Sequence, residues 1–250
     1  MERIIGLNKN RHFNFRAICT GFVCLGLGIV GCAQEKSKIQ KTEEVSKMLE
    51  KVHWLGHASF KIMGEKTVYV DPYQIKGGET ADIILITHDH FDHLSENDIQ
   101  KIQGVETVVV VPVSAAGAVS GNVRTVKPGD TFTVEDVEIQ VVPSYNIGKQ
   151  FHPREKENVG YVFKVGDITY YHAGDTDVIP EMKEIQTDVA FLPVGGTYTM
   201  NAEEAAKAAG DIQPKVAVPM HWGTIVGSEK DAEKFKNLCG CEARILKQEK

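Results

Sequence analysis

The 250-residue chain predicts an α+β domain in which β-sheets stack face to face with helices on the outside. Short runs of β-branched and aromatic residues, bounded by turn signals, fill its first two thirds. Strand and helix patterns alternate in the last third, and no repeat of short fixed period runs through the chain.

In chain order, the stretch from Ala33 to about Glu50 is dominated by Gln, Glu, Lys, Ser and Thr. Such a composition buries little surface, and it reads as a flexible tether over residues 32–50. Lys51 to Leu55 and Ser59 to Met63 alternate as strands do. Gly64-Glu65-Lys66 then supplies a turn, and Thr67 to Val70 runs into Asp71-Pro72. The apolar run Ile83-Ile84-Leu85-Ile86 reads as a buried strand. Ser95, with Asp98 three residues later, starts a short helix ending near Gly104, and Val108 to Val111 is a strand stopped by Pro112. Two hairpins follow, Thr131–Val134 with Val137–Val142 and Tyr161–Val165 with Ile168–Tyr171, turning at Glu135-Asp136 and Gly166-Asp167. Between them lies a long polar loop, residues 144–158, of a length that is usually functional. Val189 to Pro193 and Val216 to Pro219 are strands, each followed by a helix, the first capped by Asn201 with Glu204, the second by Ser228 with Asp231 and running through Leu238.

With 42% hydrophobic and 25% charged residues, the composition is that of a soluble globular protein with a sizeable core. The beginning differs. Lys9, Arg11 and Arg16 precede an apolar stretch, Ala17 to Val30, and then comes Ile29-Val30-Gly31-Cys32. A basic start, an apolar middle and small residues before a cut describe a secretory signal. This one resembles the bacterial lipoprotein type, which implies removal of residues 1–31, lipid on Cys32 and tethering to the cell envelope; an uncut membrane anchor is the alternative. Residues 1–31 hold four Lys+Arg and one acid, so 24 basic and 33 acidic residues remain after cleavage, a formal charge of −9. That acidity argues against nucleic acid as a partner. Of the cysteines beyond Cys32 only Cys239 and Cys241 remain, an incidental pair that could form a disulfide.

The chemistry is concentrated in Thr87-His88-Asp89-His90-Phe91-Asp92-His93-Leu94, where the strand ends and a loop begins. Nothing structural requires so many potential ligands in sequence. His88 and His90, two apart, project to one side of an extended segment and can reach one ion. Asp92 and His93, after a turn at Phe91, can hold a second. Imidazole and carboxylate donors suit zinc first, with manganese or iron open, giving an expectation of two divalent metal ions. A carboxylate to lie between them is offered by Ala173-Gly174-Asp175-Thr176, just after a strand.

Together, the His88–His93 motif, Asp71 at a strand end, Gly174-Asp175-Thr176 and the late histidine in Pro219-Met220-His221-Trp222-Gly223-Thr224 resemble the metallo-β-lactamase superfamily over nearly all of residues 51–250. Trp54-Leu55-Gly56-His57-Ala58-Ser59 and Tyr171-His172-Ala173-Gly174-Asp175-Thr176 are similar to its small metal-dependent hydrolases, including ascorbate-phosphate lactonases and, more distantly, N-acyl phosphatidylethanolamine phospholipase D enzymes. The resemblance implies a four-layer αββα sandwich. It also implies His88, His90 and a third histidine on one ion, Asp92, His93 and His221 on the other, and Asp175 bridging. The long loop after Val142 is in the right place in chain order to make His152 that third histidine, with His172 the competitor, otherwise a group holding Asp175. His57 falls near the pocket or on the surface, and Asp71 orients a ligand. Tyr198 lies in a Gly-rich turn, Gly195 to Met200, that could contact an anionic substrate group at a helix start.

The implied activity is hydrolysis of an ester, lactone or phosphodiester bond in a small molecule or lipid by a metal-bound hydroxide. Asp92 and His221 sit in the catalytic centre, and Asp89, outside the ligand set, acts on a proton or shapes the loop. The alternatives are a non-enzymatic metal- or ligand-binding envelope lipoprotein and a di-iron oxidoreductase.

Overall fold

The structure is a computed structural model and describes residues 40–249. Two units divide the chain, Met1–Glu43 and Glu44–Lys250. Of the first, only residues 40–43 are described, and they are helical. The expected signal segment and Cys32 lie outside the described residues.

The second unit begins earlier than residue 51. Residues 44–49 are helical (α1), not a tether. Val45 and Met48 are buried in the core, Leu49 packs against it, and the Met48 carbonyl accepts a 3.3 Å hydrogen bond from the Tyr170 hydroxyl. Apolar residues at i, i+3 and i+4 make one helical stripe, which the polar average of the segment conceals.

One sheet holds six strands in sequence order: β1 (Val52–Gly56), β2 (Ser59–Met63), β3 (Thr67–Val70), β4 (Ala81–Leu85), β5 (Gln103–Pro112) and β6 (Asn122–Val126). The first pairings are antiparallel, and those from β3 to β6 are parallel. The other sheet holds β7 (Thr131–Val134), β8 (Val137–Pro143), β9 (Val159–Val165), β10 (Ile168–His172), β11 (Val189–Pro193), β12 (Val216–Met220) and β13 (Glu242–Ala243). Its hairpins are antiparallel, whereas β10 to β13 are parallel. The helices are α2 (Glu96–Ile102), α3 (Ala202–Ile212) and α4 (Glu229–Leu238).

Alternation along β4 shows how the layers form. Ile83 and Leu85 enter the core between the sheets with Phe60 and Phe163, while Ile84 and Ile86 join Ile99 and Ile102 of α2 on the outer face. Burial on both faces explains the unbroken apolar run. On the other side Ala205, Ala208 and Ala209 of α3 are buried, so helices cover both outer faces and the fold is the αββα sandwich. Both arms of the Asn201–Glu204 capping box form, each at 2.9 Å. At α4 Asp231 accepts from the Ser228 amide at 2.8 Å, and the Ser228 hydroxyl donates to the same carboxylate.

The edge strands β6 and β13 are the strands the sequence pattern does not announce. Four residues of β6 are at least partly exposed, and β13 is two residues long. The parallel strands bring the loops after β4, β10 and β12 to one end of the sandwich, where the loops after β1, β3 and β8 join them.

Candidate metal centre

After β4 the chain turns back on itself. The amides of His93 and Leu94 both donate to the His90 carbonyl, at 3.0 and 2.8 Å. This turn separates the motif into two halves and leaves the Phe91 ring 67% exposed at its tip. In one half, His90 Nδ1 lies 3.1 Å from His88 Nε2 and 3.0 Å from His152 Nε2. The other half gathers Asp92, His93, His221 and His57, whose donor atoms all lie within 4.8 Å of one another.

Asp175 joins them. Its Oδ2 is 3.4 Å from His152 Nε2, 3.9 Å from His88 Nε2 and 3.1 Å from His221 Nε2, while Oδ1 is 3.3 Å from His93 Nε2. One carboxylate therefore faces both histidine groups. Gly174 allows the approach: its φ is +64°, and a Cβ there would meet Val159 O and Ser144 Oγ at 2.9 Å each. Gly195 has a similar part, since a Cβ on it would lie 2.6 Å from the His221 carbonyl. The Gly-rich turn is thus explained by close packing on His221.

Supporting hydrogen bonds fix which ring nitrogen faces inward. The Thr87 hydroxyl donates to Asp71 Oδ2 at 2.7 Å, and the Thr87 amide donates to Oδ1 at 2.8 Å. Having given its proton, the Thr87 oxygen accepts from His88 Nδ1 at 2.9 Å, leaving His88 Nε2 as a free lone pair. His93 Nδ1 donates to Asp71 Oδ2 at 2.7 Å, again leaving Nε2 inward. His152 Nδ1 is placed 3.2 Å from the Tyr198 carbonyl, which also accepts from Asn146 Nδ2 at 2.6 Å. Metal-ligating histidines are typically oriented in this way. His57, Asp71, His152 and His221 all adopt positive φ, between 45° and 59°. Strained non-glycine backbone is often concentrated at functional sites.

Among the described residues, His93 Nε2, Asp175 Oδ1 and His221 Nε2 are buried without a hydrogen-bond partner. They lie close together yet lack hydrogen-bonding geometry, because they aim at common points and not at each other. An unsatisfied buried polar atom costs about 1–3 kcal/mol. Neutral imidazoles and carboxylates so arranged fit divalent cations.

Charge supports the same fit. Burial holds the His88 imidazole well below its usual range, helped by its neighbouring histidines. Burial also opposes charge on His93, but the Asp175 and Asp71 carboxylates outweigh it and raise that imidazole well above its ordinary value. Asp175 is fully buried, yet His221 and His93 hold its carboxyl well below the usual carboxylate range.

All seven residues expected to bind metal converge: His88, His90, Asp92, His93, His152, Asp175 and His221. The competitor His172 is outside these groups. Its Nε2 donates to the Ala58 carbonyl at 2.8 Å, and its Nδ1 accepts from the Gly174 amide at 3.2 Å. It therefore ties β10 to the loop after β1 and fixes the approach to Asp175 through the backbone. Asp89 is exposed beside His90, lining a cavity of about 290 Å³ with Phe151, His152, Pro153 and Lys156. Tyr198 serves through its carbonyl, and its ring packs 4.9 Å from Phe151. Thr87 and Asn146 are the supporting residues missed from sequence. Thr87 borders the motif and was detectable; a lone Asn in a polar loop carried no such signal. The Cys239 and Cys241 sulfurs are 3.1 Å apart, at hydrogen-bond distance and not joined as a disulfide.

Comparisons with known proteins agree with this geometry. Residues 51–221 match the Beta-lactamase superfamily domain. A UPF0173 metal-dependent hydrolase of Pyrococcus horikoshii is 35% identical over 216 residues, 78% of this chain and 95% of the relative. One from Methanopyrus kandleri is 36% identical over 206 residues, covering 74% and 90%. A crystal structure from Parabacteroides distasonis, provisionally assigned as a metal-dependent hydrolase, superposes with a TM-score of 0.71 at 33% identity over 79% of this chain and 93% of that one. The fold, the convergent histidines and aspartates, and these relatives place the chain in the UPF0173 metal-dependent hydrolase family of the metallo-β-lactamase superfamily, to which it belongs.

Proposed function

We propose that this metal-dependent hydrolase holds two divalent cations, zinc first, and cleaves an ester, lactone or phosphodiester bond of a small molecule or lipid. The carrying observation is that Asp175 Oδ2 lies 3.1–3.9 Å from histidine nitrogens of both groups, with Oδ1 on His93, so that one carboxylate stands between the two groups. When bound, such a pair of cations lowers the pKa of a shared water and supplies a nucleophile at neutral pH.

The residues around the centre prepare it for that chemistry. Asp71 and Thr87 hold His88 and His93 with their Nε2 atoms inward. The cavity beside His90 and His152 offers room for a substrate, with Phe151 and Pro153 as apolar walls and Lys156 as the positive charge in its lining. Asp89, exposed at its rim, is placed to exchange a proton with solvent during leaving-group departure. Export with lipid on Cys32, proposed from the N-terminal sequence, would set this centre at the cell envelope.

The test is a panel of esters, lactones and phosphodiesters run on protein loaded with zinc, manganese or iron. Turnover should require metal and vanish in His88→Ala with Asp175→Ala. Full hydrolysis by metal-free protein, or no hydrolysis of any class together with oxygen reduction by the iron form, would overturn it, the latter in favour of an oxidoreductase.

A further inference from the structure

The histidines assigned by resemblance leave His57 unassigned, yet it lies inside the second donor group. His57 is 1% exposed, and its ring lies 4.0 Å from that of His221, tilted by 42°. Nε2 of His57 is 3.0 Å from Asp92 Oδ2, whereas His93 Nε2 and His221 Nε2 are 3.7 and 4.0 Å from the same oxygen. Of the three imidazoles, His57 therefore approaches Asp92 most closely. Donors bound to one ion at about 2.1 Å lie roughly 3.0–3.4 Å from each other, according to the bond angle. The 3.0 Å separation falls in that interval and is also a hydrogen-bond distance, while the 3.7 and 4.0 Å separations of His93 and His221 lie just beyond it.

The backbone forces this placement. Gly56, at φ +115°, and His57, at φ 51°, turn the chain at the end of β1. The His57 carbonyl accepts from the His221 amide at 2.9 Å and from Trp54 Nε1 at 3.0 Å. His57 and His221 are thus linked at the main chain, with both Nε2 atoms within 4.0 Å of Asp92 Oδ2. His57 Nδ1 is buried without a partner, so the ring's one hydrogen bond among the described residues is from Nε2 to Asp92 Oδ2, an atom of the same donor group.

We propose that His57 is a direct ligand of the second cation. This rests on the two-cation reading and sharpens it. The second site would then have four protein donors, His57, Asp92, His93 and His221, before Asp175 is counted, against three for the first, His88, His90 and His152. A full donor set describes a tightly held ion, and a site with fewer protein donors keeps a position for water or substrate. The cation at His88, His90 and His152 is accordingly the exchangeable one. It borders the cavity with Phe151 and Lys156, so substrate binds on that side.

The experiment loads the wild-type chain with ¹¹³Cd and measures scalar coupling from each cadmium to histidine rings, since coupling requires a coordinate bond. The expected result is coupling of the tighter cadmium to His57, His93 and His221, and of the weaker to His88, His90 and His152. Absence of coupling to His57 in protein that binds one or two cadmium ions overturns the proposal, whereas binding of no cadmium at all overturns the cation reading on which it rests. A single cadmium overall would refute the two-cation reading while the His57 coupling still decides this one. As a second readout, zinc competition with a chromophoric chelator should show His57→Ala weakening the tight step about tenfold or more and His57→Gln failing to restore it. Restoration by Gln, whose amide can still donate to Asp92, would make His57 a positioning residue only and sink the proposal.

Discussion

Asp71 Oδ2 lies 2.7 Å from His93 Nδ1, and the same carboxylate binds both the amide and the hydroxyl of Thr87, the residue that orients His88. One buried side chain at the end of β3 thus orients a histidine of each donor group. Replacing Asp71 by Asn keeps its size but removes the charge and one acceptor. Partners of this kind typically contribute 10–100-fold in metal affinity. We expect Asp71→Asn to weaken both cations by about that factor, read by chelator competition. Unchanged affinity at both would show that the carboxylate serves the fold alone.

His152 and His172 are predicted to behave oppositely. His152→Ala removes a donor that lies 3.0 Å from His90 Nδ1, and about one equivalent of metal should be lost on elemental analysis. In His172→Ala the Ala58 carbonyl and Gly174 amide lose their partner in a buried setting. Unsatisfied buried groups cost about 1–3 kcal/mol each, so metal-free His172→Ala should melt well below the parent. If His172→Ala lost a metal equivalent without loss of stability, the two assignments would be reversed.

How much of this was legible in the sequence depended on the range of the signal. Apolar runs such as Ile83 to Ile86 and the Asn201–Glu204 cap are local, and they formed where expected. The motif from His88 to His93 was equally plain. Choosing His152 over His172 was harder, because one follows a strand and the other ends one, and only pairing across the sheet decides which faces the centre. His172 is in register with Phe191 on parallel β11 and turns toward Ala58. His57 was ambiguous because its role needs the carbonyl–amide link to His221, a contact between residues 164 positions apart. The helix at residues 44–49 escaped because a three-residue apolar stripe is diluted by the lysines and glutamates around it.

Proton release should accompany metal binding. In the metal-free protein the Asp175 and Asp71 carboxylates raise His93 above its ordinary value against burial, so it is protonated at neutral pH. His88, lowered by burial, is already neutral there. A cation must therefore displace the His93 proton, and affinity should rise with pH until His93 loses that proton unaided. The sign for the metal-free fold is the reverse. A raised histidine contributes stability that is complete below its unfolded pKa, about 6.5, and lost as pH rises through the folded value. Calorimetric zinc titration in two buffers of different ionisation enthalpy should give a net release near one proton at pH 7 from this residue. A buffer-independent enthalpy would contradict it.

Two glycines make a matched pair for testing the packing beneath the centre. At Gly174 an added methyl meets Val159 O and Ser144 Oγ at 2.9 Å, and φ is +64°, a region that L side chains rarely occupy. Gly174→Ala should therefore destabilise the fold by about 1–3 kcal/mol and displace Asp175, the next residue, lowering affinity for both cations. Gly210 lies within α3 with nothing inside 4 Å of the added carbon. There the substitution only removes the entropy that glycine costs a helix, and Gly210→Ala should stabilise by about 0.5–1 kcal/mol without touching metal content. For a domain of this size, about 2–4 °C in Tm is expected per kcal/mol, so the two variants should move thermal unfolding in opposite directions. Equal shifts, or a Gly174→Ala protein with parental metal affinity, would mean that the loop carrying Asp175 has room that this packing denies it.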